Sequence, residues 1–106
     1  MSKYIYGKPK IDRVFGVGDM AEEWIDIRRP TYGDAEKFND TDDRSKLVVS
    51  FLTDWSISDG ENKVEISVDV FRELPLDITL PALERFNANF LPLVELGRKN
   101  AAKSKN

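Results

Sequence analysis

Six apolar residues toward the C-terminal end, Leu80, Leu83, Phe86, Phe90, Leu93 and Val94, recur at three- and four-residue steps, and no other stretch narrows the possible folds as much. That spacing puts them on one side of a helix, which must be buried against another element. Thr79 is placed to cap the start, and Pro81 is tolerated in the first turn, where its missing N–H would have no partner. Pro92 falls inside the run. It removes a backbone hydrogen bond and crowds the carbonyl of residue 88, so a kink or break is predicted there. Gly97 offers a stop.

The cover for that helix is expected from the N-terminal third. Val14, Phe15 and Val17 precede a Gly18-Asp19 turn signal, and residues 23–28 then alternate. Two strands, a hairpin, fit this pattern, with Ile25 and Ile27 on one face and Trp24, Asp26 and Arg28 on the other. Pro30 stops the second strand. Thr31 occupies an N-cap position for a short helix over 32–39, with Ala35 and Phe38 on one side. Residues 39–44 read as a polar loop.

Leu47, Val48, Phe51, Leu52 and Trp55 form one helical face, which predicts a helix over 47–55, although Val49, Phe51, Thr53 and Trp55 also alternate as a strand would. Residues 58–62 are a dense turn signal, followed by an extended arm around Val64 and Ile66. Ser67 caps a helical turn through Val70, Phe71 and Leu74, which Pro75 ends. The fold expected is α+β, a small N-terminal β-hairpin or sheet packed with three to four α-helices, the last kinked near Pro92. A chain of 106 residues has room for one such core. We place the domain at 1–97 and a basic flexible tail at 98–106, where Arg98, Lys99, Lys103 and Lys105 stand without an acid.

Catalytic chemistry has little to work with here. The chain has no histidine and no cysteine, which removes the commonest general base, thiolate nucleophiles and most zinc sites. Gly16-Val17-Gly18-Asp19-Met20-Ala21 matches the letters of a dinucleotide fingerprint, but a strand follows where the motif needs a helix, so it reads as a turn. Asp40, Asp42 and Asp43 suggest a calcium loop, yet Ser45 stands where glycine is required and Phe51 where a bidentate glutamate is required. No metal or other cofactor is expected. Asp54 and Asp59 flank Trp55 and are the one carboxylate pair that an enzyme or ligand-binding domain could use. Arg28 and Arg29 are expected to pair with acids inside the domain. The net charge of −3 and the acid excess over 19–77 argue against a nucleic-acid partner, and no apolar run reaches the ~18 residues of a membrane span. A cytoplasmic protein is expected.

A binding surface is the remaining possibility. Phe86, Phe90, Leu91, Leu93, Val94 and Leu96 make a stripe wider than one-sided packing needs. Either both sides are core, with the kink wrapping the helix around the domain, or part of the stripe receives another protein. Trp55 joins these six as a candidate partner-binding residue.

The order of features resembles the small tail assembly chaperones of long-tailed bacteriophages: a strand ending in a basic pair, a short helix, an apolar helix ending in Asp54-Trp55, the turn Ser58-Asp59-Gly60, an arm around Val64 and Ile66, and Leu74-Pro75 before a last helix. The resemblance covers most of residues 23–96, with Trp55, Asp59-Gly60 and Leu74-Pro75 as its individual matches. It implies a non-enzymatic protein of the host bacterial cytoplasm that binds the tape measure protein and aids assembly of tail tube subunits around it. A structural virion component, such as a tail completion or connector protein, or another small protein-binding adaptor is the alternative. The oligomeric state is left open.

Overall fold

Alternation in the N-terminal third builds a sheet. In the computed structural model, β1 (Ile11–Phe15) and β2 (Trp24–Arg28) pair antiparallel, with Val14 opposite Ile25 and Arg13 opposite Asp26. The structure describes residues 4–37 and 43–104, with side chains as far as residue 91. Between the two strands a single 3-10 turn spans Gly18–Met20. Gly16 is required there, because a Cβ on it would lie 2.5 Å from the Met20 carbonyl oxygen. This hairpin is the one expected from the sequence, and the glycine motif serves as its turn.

The third strand departs from expectation. The predicted helix over 47–55 is two elements, α2 (Arg44–Ser50) and β3 (Leu52–Trp55), and β3 adds to β2 to give the order β1-β2-β3. Apolar residues at 47, 48, 51, 52 and 55 satisfy both periodicities, so local pattern alone does not decide between them. The β2 edge decides it: Asp54 pairs with Asp26 and Trp55 with Ile25, and Leu52 meets Ile27 across a bulge that leaves Thr53 exposed. Ser56 fastens the end of β3, accepting from the Trp24 N–H at 2.9 Å and donating to the Glu23 carboxylate at 2.8 Å.

The helices begin where side chains satisfy their free amides. In α1 (Tyr32–Lys37) the Thr31 hydroxyl accepts from the Asp34 N–H, while the Asp34 carboxylate accepts in return from the Thr31 N–H. Asp43 caps α2 through the N–H groups of Ser45 and Lys46. Ser67 caps α3 (Val68–Glu73), accepting from the Val70 N–H as its position predicts. Phe38, Asn39, Asp40 and Asp42 lie outside the described residues.

The last helix, α4 (Leu76–Ser104), is longer than expected at both ends. It starts directly after Pro75, and Thr79 is not its cap but lies inside the first turn, donating its hydroxyl to the Pro75 carbonyl. The helical backbone includes Pro92 and passes Gly97 to Ser104, so the stop expected at Gly97 is not used and residues 98–104 belong to the helix.

The core lies between the sheet and α4. Ile25 and Ile27 of β2, Leu52 and Trp55 of β3, and Val48, Phe51 and Phe71 meet Ile78, Ala82, Phe86 and Phe90 of α4. Three phenylalanines hold its centre: Phe51 sets its edge against Phe86 and Phe90 at 5.6 and 5.9 Å, and Phe86 stacks on Phe90 at 4.8 Å.

Candidate functional site

Three arginines and three acids of the N-terminal third are paired with one another inside the fold. Arg13 makes a two-pronged bond to Asp26 at 2.8 and 3.0 Å, Arg28 reaches Asp34 at 2.9 Å, and Arg29 reaches Asp12 at 2.8 Å. The internal pairing expected of Arg28 and Arg29 is therefore found. Asp12 also accepts from the Asn89 side chain, which ties β1 to α4. The Arg29 guanidinium holds the Asp12 carboxyl below its usual range, against the opposing effect of burial.

The two carboxylates of the enzyme hypothesis are separately occupied. Asp54 accepts from the Lys63 ammonium at 2.6 Å and from the Trp55 N–H at 2.9 Å. Asp59 accepts from the N–H groups of Asn62 and Glu61 at the 58–62 turn. Both groups are held below the usual carboxylate range, Asp54 first by Lys63 and Asp59 first by the Asn62 amide. A general acid at neutral pH needs the opposite shift. Asp43, the described member of the acidic loop, is likewise committed, capping α2 and pairing with Arg72 at 3.3 Å. Among the described residues no group of three or more carboxylates is placed to hold a metal ion.

One shallow concavity lies between α1, α2 and α4, with Phe51 and Phe90 at its floor and the Arg28–Asp34 pair at its rim. At about 280 Å³ it stands at the lower end of the range of small-molecule sites. No helix among the described residues is long and apolar enough to cross a membrane.

The structure separates the residues predicted to meet a partner. Trp55 is fully buried and Phe86 and Phe90 are 2 % exposed, so these three belong to the core and offer no surface. The Trp55 ring nitrogen is also used internally, donating to the Val64 carbonyl at 2.7 Å. Leu91 is open to solvent at 57 %. The side chains of Leu93, Val94 and Leu96 lie outside the described residues.

Exposed apolar residues gather elsewhere. Leu76 and Leu80 stand exposed on α4 at 70 % and 48 %. A helical step of 100° per residue brings Leu76, Leu80 and Leu91 within a sector of about 60°, roughly opposite the side that carries Ile78, Ala82 and Phe86. Val17 continues this patch toward the sheet, because its N–H donates to the Asp77 carbonyl at 2.9 Å. Val17 and the neighbouring Phe15 are both more than half exposed. Reading the helix from Thr79 hides this stripe, since Leu80 is then counted as the first core position. Starting the helix after Pro75 reveals it, with Ile78 and Ala82 taking the core positions instead. In comparisons with known proteins, no family model matches the chain, and neither a curated protein nor a solved structure matches it.

Proposed function

We propose that this chain is a non-enzymatic protein-binding protein, a tail assembly chaperone of a long-tailed phage that holds the tape measure protein in the host bacterial cytoplasm while tail tube subunits assemble. The observation carrying the binding part of this reading is the outer stripe of α4. Leu76, Leu80 and Leu91 stand exposed on one side of a helix whose other side is already packed. A row of apolar side chains at helical spacing suits docking against an apolar face of another helix, which a long, helical, aggregation-prone client would supply. Acids in excess of bases over 19–77 keep the complex in solution. The choice of client rests on the resemblance of residues 23–96 to the chaperone group.

The test is co-expression with a tape measure protein from the genome that encodes this chain. The wild-type protein is expected to keep that client soluble and to co-purify with it, and a Leu80→Asp, Leu91→Asp double variant is expected to lose it. A client equally insoluble with and without this chain would end the proposal. Mass spectrometry of purified particles addresses the alternative: a chaperone is absent from mature virions, whereas stoichiometric presence would assign a structural component.

A further inference from the structure

The two edges of the sheet are finished differently. On β3 the outward N–H of Trp55 is taken by the Asp54 carboxylate at 2.9 Å, and the strand is only four residues long with a bulge at Thr53. Such features close an edge to further pairing. Among the described residues β1 has no bulge and no side chain that takes an outward N–H. Arg29 donates to the Lys10 carbonyl and Gly16 to the Glu23 carbonyl, so residues 10, 12, 14 and 16 direct their backbone groups toward β2. Ile11, Arg13 and Phe15 therefore direct theirs outward, and among the described residues no strand lies beyond β1. Their side chains add to the exposure, with Ile11 at 47 % and Phe15 at 54 %. An open edge bearing large apolar side chains is what single-chain proteins ordinarily avoid.

We propose that β1 pairs antiparallel with β1 of a second copy of this chain, joining two three-stranded sheets into one of six strands. Charge along the hairpin singles out this occupant. Its open end carries the bases Lys8 and Lys10, whereas its turn carries Asp19, Glu22 and Glu23 with Asp77 beside them and no base among residues 14–27. Antiparallel pairing sets the basic end of each copy against the acidic end of the other. Residue chemistry then selects the register. Placing Arg13 opposite Arg13 of the second copy would crowd two guanidiniums that each already bond Asp26 and lie over Trp24, while a shift of one step in each strand places Arg13 opposite Phe15 and Ile11 opposite Val17.

In that register the two-fold axis passes at Val14. On the helix side, Val14 borders a groove lined by Pro81, Glu84, Arg85 and Ala88 of α4. This groove holds one acid and one base, so it also complements its own copy about the same axis. The self-pairing surface takes in Phe15 and Val17 at the margin of the exposed patch but none of Leu76, Leu80 and Leu91, and it stands whether or not the tape measure protein is the client.

Sedimentation of the purified full chain across a dilution series tests this, with added salt as a second variable. The wild type is expected to be a dimer that dissociates on dilution and more readily at high salt. Ile11→Lys and Phe15→Lys are expected to be monomeric at concentrations where the wild type is dimeric, with unchanged far-ultraviolet circular dichroism. Lys8→Glu is expected to weaken the dimer and Asp19→Lys added to it to recover part of the loss. Because the chain has no native cysteine, Val14→Cys gives a readout of register. Opposed non-hydrogen-bonded residues stand about 4.5 Å apart at Cα, within reach of a disulfide. Mild oxidation is expected to link Val14→Cys into a covalent dimer and to leave a Ser58→Cys control monomeric under denaturing electrophoresis. A wild type that stays monomeric throughout the series, or a dimer in which Val14→Cys fails to cross-link, would overturn the proposal. If the lysine variants do not fold, the cross-linking result decides alone.

Discussion

The two sides of α4 are both apolar in sequence and opposite in role. One side carries Ile78, Ala82, Phe86 and Phe90 into the core, where Phe51 and the β2 isoleucines meet them. The other carries Leu76, Leu80 and Leu91 into solvent. Residue size points the wrong way here: the aromatic residues most often associated with binding energy at interfaces are the ones the domain needs for itself. Hydrophobicity marks the helix as important, and only packing tells which side serves the fold and which stands in solvent.

The largest effect is expected from the inner side. Phe86→Ala removes a ring that touches both Phe51 and Phe90 and should destabilise the chain by about 3–5 kcal/mol. Urea unfolding would measure it, and a loss under about 1 kcal/mol would mean that the inner side is not the core. Trp55→Phe keeps most of the apolar volume but leaves the Val64 carbonyl without its ring N–H, for a loss of about 1–3 kcal/mol by the same measurement.

Acid should weaken the fold more gently. Asp12, Asp34, Asp43, Asp54 and Asp59 all have folded-state pKa values below the ordinary 3.8. Groups depressed in this way contribute fully above their unfolded pKa of about 3.9 and lose that contribution as pH falls through the lower folded values. Stability should therefore be insensitive to these groups above about pH 5 and decline below about pH 4. Asp12→Asn should make the decline shallower, because Asp12 joins Arg29 and Asn89 across the β1–α4 contact. A decline equally steep in Asp12→Asn would remove that contact from the explanation. The smallest effect on stability belongs to the outer side. Leu80→Asp and Leu91→Asp should each shift the unfolding free energy by no more than about 0.5 kcal/mol.

Much of this architecture is readable locally. The hairpin follows from alternation around a glycine turn, and the caps at Thr31 and Ser67 follow from the hydroxyl preceding each helix. The pairing of Arg28 and Arg29 follows from the surplus of acids around them. Residues 47–55 carry apolar positions that suit both a helix and a strand, and the β2 edge that decides between them lies more than twenty residues earlier. The start of α4 misleads for a different reason. A threonine followed by Leu-Pro looks like a cap, yet Pro75 already begins the helix and leaves Thr79 to bond backward. A helix read from Thr79 leaves out Ile78, which lies on the core side, so Leu80 counts as core and Leu91 alone of the outer stripe stands in the candidate site. Phe86 and Phe90 stand in the candidate stripe through helical spacing, which does not tell a buried position from an exposed one, since exposure depends on contacts made by distant elements.

Affinity for the tape measure protein, compared between the two sides of α4, bears most directly on the central claim that the outer side meets the partner. Calorimetric titration of a soluble tape measure fragment should show the Leu80→Asp, Leu91→Asp double variant binding at least about tenfold more weakly than wild type, a difference of about 1.4 kcal/mol. Phe86→Leu, which alters only the inner side, should bind as wild type does while unfolding at lower urea. Undiminished binding by the double variant, or a loss confined to Phe86→Leu, would contradict the assignment of the outer side as the partner surface.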